Sequence, residues 1–138
     1  MSTEQNKAIA QQVVDAINRR DLGMFDGLVA PDAVDHAAPP GLPPTRETAK
    51  QFIGMLLAAF PDFKYTVELT VAEGDKVAQR VTGSGTMQGE FMGMSPTGKS
   101  AAWTEMHISR FANGKLVEHW ANVDQVSMMQ QLGLMPGG

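Results

Sequence analysis

The dipeptide Asn113-Gly114 constrains the fold of this chain more than any other feature. Between two alternating runs, Asn-Gly is the strongest short-range signal for a two-residue β-hairpin. Both central residues of that turn need positive φ, and these two adopt it at low cost. The flanking runs, Ser100 to Phe111 and Lys115 to about Val123, have the length and alternation of strands. With Asn113 and Gly114 central, Ala112 opposes Lys115. Strict alternation then pairs Phe111 with Leu116, Ser109 with Glu118, His107 with Trp120, Glu105 with Asn122 and Trp103 with Asp124. These residues share one face. The other carries Thr104, Met106, Ile108 and Arg110 with Val117, His119, Ala121 and Val123.

Pattern alone leaves the inner face open. The second face is the more uniformly apolar, so it is a candidate core that would leave the first face solvated. Two tryptophans on a solvated face would be unusual, whereas a partly enclosed cavity explains a face that mixes them with ionisable groups. The apolar second face would then serve as a subunit interface. The register is conditional too. A three-residue loop would shift the partner strand by one, set His107 against His119, and turn Asp124 away unless a bulge restored it.

The rest of the chain reads as helices followed by strands, the order of an α+β domain with helices on one face of an antiparallel sheet. Ser2 or Thr3 can cap a helix running to about Arg20, with Ile9, Val13, Ala16 and Ile17 as its apolar stripe. A short helix over Leu22 to Val29 stops before Pro31, and Pro31 to Pro44 reads as irregular. A third helix begins near Thr45 and ends before Pro61. From Phe63 the period becomes two: Phe63, Tyr65, Val67, Leu69 and Val71 alternate with polar residues, which predicts a half-buried strand with Tyr65 in the core. Glu73-Gly74-Asp75 turns into a second strand, Lys76 to about Thr86. The Gly-rich Gln88 to Lys99 reads as a loop or bent edge, and a short helix follows Asp124. No linker or repeat divides residues 1–138, so one domain is expected.

Composition removes several classes of function. The chain has no cysteine, which excludes disulfides and thiol chemistry, and its net charge of −4 gives no footprint for nucleic acid. No apolar run approaches the roughly 20 residues of a membrane span, and polar Met1 to Gln12 has no signal-peptide core, so a cytoplasmic protein without membrane association is expected. Gly93 to Ser100 matches the string of a phosphate-binding loop, but a strand follows where that mechanism needs a helix N-terminus, and Pro96 removes one N–H. His36, His107 and His119 lack helical i,i+4 spacing, and the two-residue register separates the last two, so no metal site is expected.

The sequence resembles the SnoaL-like polyketide cyclases, also called predicted ester cyclases, within the cone-shaped NTF2-like fold. The resemblance runs through Pro31-Asp32-Ala33-Val34-Asp35-His36, Gly89 to Lys99, Met106-His107-Ile108-Ser109-Arg110-Phe111, Asn113 to Trp120, Asp124 and Gln131-Leu132-Gly133. It implies a curved antiparallel sheet packed on three N-terminal helices around a pocket. It also implies an aldol-type ring closure on a small hydrophobic carbonyl or ester substrate, with no metal and no organic cofactor. The family's acid/base aspartate matches Asp124 and its pocket histidine matches His107, and the resemblance places His36 near the mouth. It further implies self-association, as a homodimer or a homotetramer.

In that scheme Asp124 takes a proton from carbon beside a carbonyl and returns it, while His107 hydrogen-bonds the oxygen that becomes the enolate. Trp103 and Trp120 offer flat apolar surface to a polycyclic substrate. Glu105 is a second pocket carboxylate, with Asn122 opposite it. Arg80 could orient an ester or carboxylate, or serve a structural salt bridge. A hydrolase of the same fold, in which an aspartate activates water, and a noncatalytic small-molecule binder are the competing readings.

Overall fold

Residues 2–135 are described in a computed structural model of the chain. The elements run α1 (Thr3–Asn18), α2 (Leu22–Leu28), β1 (Val29–Asp35), α3 (Arg46–Ala59), β2 (Lys64–Glu73), β3 (Lys76–Thr86), β4 (Ser100–Ala112), β5 (Lys115–Val123) and α4 (Gln125–Gln131). The three N-terminal helices and the four later strands lie where the sequence predicts them. At the start of α1, Ser2 Oγ accepts from the Gln5 N–H and the Gln5 side chain accepts from the Ser2 N–H, so two end donors are satisfied reciprocally. Thr45 caps α3 in the predicted position.

The strands form one five-stranded sheet in the order β1-β5-β4-β3-β2, antiparallel except where β1 runs parallel to β5. β1 was not expected, since Pro31 to Pro44 reads as irregular. Pro31 is tolerated because β1 is an edge strand, where a missing N–H need not break a ladder. α1 packs on β2 and β3, α3 on β1 and α4 on β4. Under Trp103 the core is aromatic, with Phe60 and Phe63 against its ring and Phe91 edge-on to Phe60. No helix among the described residues is long and apolar enough to cross a membrane.

Two bulges in the antiparallel ladders bend the sheet and correct the predicted faces. In β2, Val67 pairs with Val81 but Leu69 with Arg80, so Glu68 is extra, and Leu69 and Val71 turn outward instead of continuing the buried row. In the hairpin, Ala112 pairs with Lys115 and Phe111 with Leu116, as the Asn113-Gly114 turn predicts. The next pair is Arg110 with Glu118, so Val117 is extra. Beyond it, Ser109 faces His119, His107 faces Ala121 and Glu105 faces Val123, while Ile108 faces Trp120 and Met106 faces Asn122 on the outside. The β4 residues of the expected site face inward. Their β5 partners are the opposite set.

Gly83 lies opposite Trp103, and a Cβ there would sit 3.0 Å from the indole. The ring cannot yield, being buried and hydrogen-bonded to Glu105. Gly83→Ala should therefore destabilise the protein by about 1–3 kcal/mol, seen as a lower urea midpoint at unchanged m value. Wild-type stability would show that Trp103 moves freely.

Candidate active site

Four titratable side chains join in a row across three neighbouring strands. Asp35 ends β1 directly beside His119 of β5, and His119 Nδ1 lies 2.9 Å from Asp35 Oδ1. His119 Nε2 meets His107 Nδ1 of β4 at 2.8 Å, and His107 Nε2 meets Glu105 Oε1 at 2.8 Å. Glu105 is saturated from its other side, since Tyr65 Oη donates to Oε1 at 2.9 Å and Trp103 Nε1 to Oε2 at 2.8 Å. Asp35 differs: Oδ1 takes the His119 bond and the Ala37 N–H, while Oδ2 accepts nothing among the described residues.

Burial pushes the Asp35 carboxyl up, but the hydrogen bond and charge of His119, the Ala37 N–H and the charge of His107 together hold it below the usual carboxylate value. Glu105 follows the same pattern: burial raises it, and the His107 bond and charge with the Trp103 and Tyr65 donors outweigh that. Burial first, then the Glu105 charge and hydrogen bond, push the Tyr65 hydroxyl well above its ordinary range, so it remains a donor. With both carboxylates ionised, the three bonds in series between them need three protons on two imidazoles. Two neutral rings hold only two. The intact row therefore carries one shared positive charge between two negative ends.

This row is the polar end of a cavity of about 400 Å³ between the sheet and the helices. The other walls are mainly apolar, from Val13 and Ile17 of α1, Phe52 and Ile53 of α3, and Phe91 and Met128. That combination of an apolar enclosure and a few convergent polar groups suits a small-molecule site.

Of the residues expected at the site, the structure brings His107 and Glu105 into the cavity. Trp103 points inward but is packed beneath the row. Trp120, Asn122 and Arg80 lie on the outer face, placed there by the bulge and by the alternation of β3. His36 follows Asp35 and so points the other way, stacked on Trp120 at 5.1 Å and bonded to Glu118 at 2.7 Å. Asp124 does not share the cavity with His107. It lies past the end of β5 in solvent, where its Oδ1 accepts the Ser127 N–H at 3.1 Å and caps α4. His119, expected on the opposite face from His107, is its hydrogen-bonded neighbour.

Sequence reasoning missed Asp35, His119, Gln79 and Ser109 as cavity residues, and read Tyr65 as core. The available signal for Asp35 and His119 was the alternative hairpin register, together with the acidic end of the Pro31-Asp32-Ala33-Val34-Asp35-His36 segment.

Helices packed on a curved, mostly antiparallel sheet around an apolar cavity with a titratable wall define an NTF2-like fold. Residues 7–132 match the family model described as SnoaL-like polyketide cyclase, and the chain belongs to that family. The proposed polyketide cyclase IdmH from Streptomyces antibioticus is 39% identical, with 94% of this chain and 99% of that one covered at a TM-score of 0.84. The proposed hydroxylase AclR from Streptomyces galilaeus is 35% identical over 98% of this chain and 100% of that one, with a TM-score of 0.87. TsrD from Streptomyces laurentii shares the fold at a TM-score of 0.89 with 22% identity, covering 98% of this chain and 99% of that one. No functionally curated protein matches the chain.

The row also sets an acid limit on stability. Carboxylates held low in the folded state release protons more readily than in the unfolded chain. Their contribution is complete above the ordinary carboxylate range near pH ~4 and is lost as pH falls through the lowered folded-state values. Glu105→Gln should cost about 1–3 kcal/mol near neutrality, yet its urea midpoint should fall less than wild type between about pH 6 and about pH 3. Parallel acid profiles would remove Glu105 from this role.

Proposed function

We propose that this protein is a cofactor-independent cyclase that closes a ring in a small hydrophobic carbonyl or ester substrate of the polyketide kind, with Asp35 as its acid/base group. The observation that carries the reading is Asp35 itself, a cavity-lining carboxylate with one oxygen fixed by His119 and Ala37 and the other free. Asp124 takes no part in this reading, because it caps α4 outside the cavity.

The step balances without a co-reactant. Asp35 Oδ2 takes a proton from carbon next to a carbonyl, and the enolate carbon bonds to a second carbonyl carbon. The alkoxide so formed takes the proton back. The shared charge on His107 and His119 lies beside the developing enolate and offsets it, a contribution that grows as ligand displaces water. A carboxylate held low is a weak base, so the reading requires an acidic carbon, such as one between two carbonyls. Burial is already the largest single influence on Asp35, and it raises the base further when the cavity fills. A proton acceptor beside a charged imidazole pair is acid/base equipment, which aligns the chain with the proposed cyclase among its relatives.

β-Tetralone, a bicyclic ketone with an acidic benzylic carbon, tests the base in the absence of the natural substrate. Wild-type protein should accelerate deuterium exchange at that carbon in heavy water. Asp35→Asn should slow the exchange by about 10²-fold or more, and Asp124→Asn should stay within about threefold of wild type. The reverse pattern would return the role to Asp124 and sink the assignment.

The outer face supports a second part of the expected function, self-association as a homodimer or homotetramer. Leu69, Val71, Met106 and Ile108 are 58%, 54%, 49% and 42% exposed on one face of the sheet, next to Trp120. A contiguous apolar face of this kind is typical of a subunit interface. Ile108→Lys should shift the sedimentation coefficient to that of a monomer. A wild-type chain already monomeric at about 50 µM would overturn this part; at that concentration even a weak dimer with a Kd near 1 µM is mostly associated.

A further inference from the structure

Gln79 sits in the middle of β3, directly opposite His107, in an inward row whose neighbours are Val77 and Val81. It lines the cavity and is 6% exposed, and its Nε2 has no hydrogen-bond partner. Three further buried polar atoms among the described residues lack a hydrogen bond, and none of them faces the cavity as a free donor. Arg46 Nε and Asp26 Oδ1 face each other at 3.6 Å as an ion pair, and Asn6 does not line the cavity. An unpaired buried amide costs stability, and the position would be better filled by a third aliphatic side chain if packing were its only task.

The ring-nitrogen and phenol donors at the polar end are committed within the row: Tyr65 Oη and Trp103 Nε1 to Glu105, His107 Nε2 to Glu105, His119 Nδ1 to Asp35. We propose that Gln79 is a substrate-positioning residue, whose Nε2 donates a hydrogen bond to a neutral carbonyl oxygen of a flat, apolar ligand. The strand order places Asp35 on β1, His119 on β5, His107 on β4 and Gln79 on β3, so Asp35 Oδ2 and Gln79 Nε2 stand on opposite sides of the histidine pair. The ligand oxygen held by Gln79 is therefore remote from the carbon that meets Asp35. It anchors the far edge of the ring system and sets which carbon reaches the base. The cavity presents no unpaired cation at this end, so an uncharged carbonyl is the fitting partner and a carboxylate is not. This inference rests on the ring-closure reading for its role in turnover, but its binding chemistry is separately testable.

Fluorenone and fluorene are planar and nearly the same size, they differ in one carbonyl oxygen, and fluorenone has no acidic carbon for Asp35 to attack. Wild-type protein should bind fluorenone roughly tenfold more tightly than fluorene, the worth of one hydrogen bond in a dry site. Gln79→Leu, with Gln79→Met as its second form, should abolish that preference by weakening fluorenone binding while keeping fluorene binding. The melting temperature should hold or rise by a few degrees, because an unpaired donor has been removed. The Gln79 side-chain amide resonances should move with fluorenone and remain still with fluorene. Asp35→Asn should retain the carbonyl preference even where it abolishes tetralone exchange, so the two readings fail separately. A preference that survives in both Gln79 variants, no preference in wild type, binding of neither probe, or a large loss of stability in Gln79→Leu would each overturn the proposal.

Discussion

The extra residue at Val117 governs which side of β5 meets the helices. Side chains on a strand alternate with a period of two, so one inserted residue inverts every position after it. Without the insertion Glu118, Trp120 and Asn122 would face the cavity, an indole would occupy space now open to ligand, and His119 would leave His107. With it, the small Ala121 and Val123 form the wall and His119 completes the row to Asp35. The outer face is settled by the same residue. Glu118 turns out to meet Arg110 Nε at 2.9 Å and His36 at 2.7 Å, and Trp120 stacks on His36. The ladder bond lost at the bulge is set against contacts on both sides of the sheet.

The row between Asp35 and Glu105 is stable only as a whole. Each carboxylate is largely withdrawn from water, which alone would favour its neutral form, and each is kept ionised by an imidazole. Each imidazole in turn has a carboxylate beside its outer nitrogen. Removing any one member leaves a buried charge or donor without its partner, a loss greater than the net worth of the bond removed. This coupling fixes ring orientation and leaves Asp35 Oδ2 in a defined direction. All four side chains of the row stand on strands.

Much of the fold was legible because its signals are local. The Asn113-Gly114 turn, with φ of 52° and 77°, sets the first two hairpin pairs as the sequence predicts. Ser2 and Thr45 announce their helices by cap chemistry. The bulges at Val117 and Glu68 were not legible. Neither position carries a glycine or proline that would announce it. β1 was hidden for a related reason: Pro31 signals irregularity in a run of seven residues, and only its place at the sheet edge makes it compatible with a strand. The site inherited those errors. His107 and Glu105 lie on the strand whose faces the turn fixes. Trp120, Asn122 and Asp124 lie beyond a bulge that the turn cannot see.

The same geometry bears on how one family can hold proteins with different proposed reactions. The polar atoms of the row are largely bound to one another, while Asp35 Oδ2 and Gln79 Nε2 have no partner among the described residues. The sheet does not depend on either atom. On the proposed reading, exchanging either side chain would alter what the cavity holds or deprotonates while the bulge, the histidine pair and the apolar wall remain. Relatives at 35–39% identity share the fold but carry different proposed reactions, so the fold alone does not fix the chemistry.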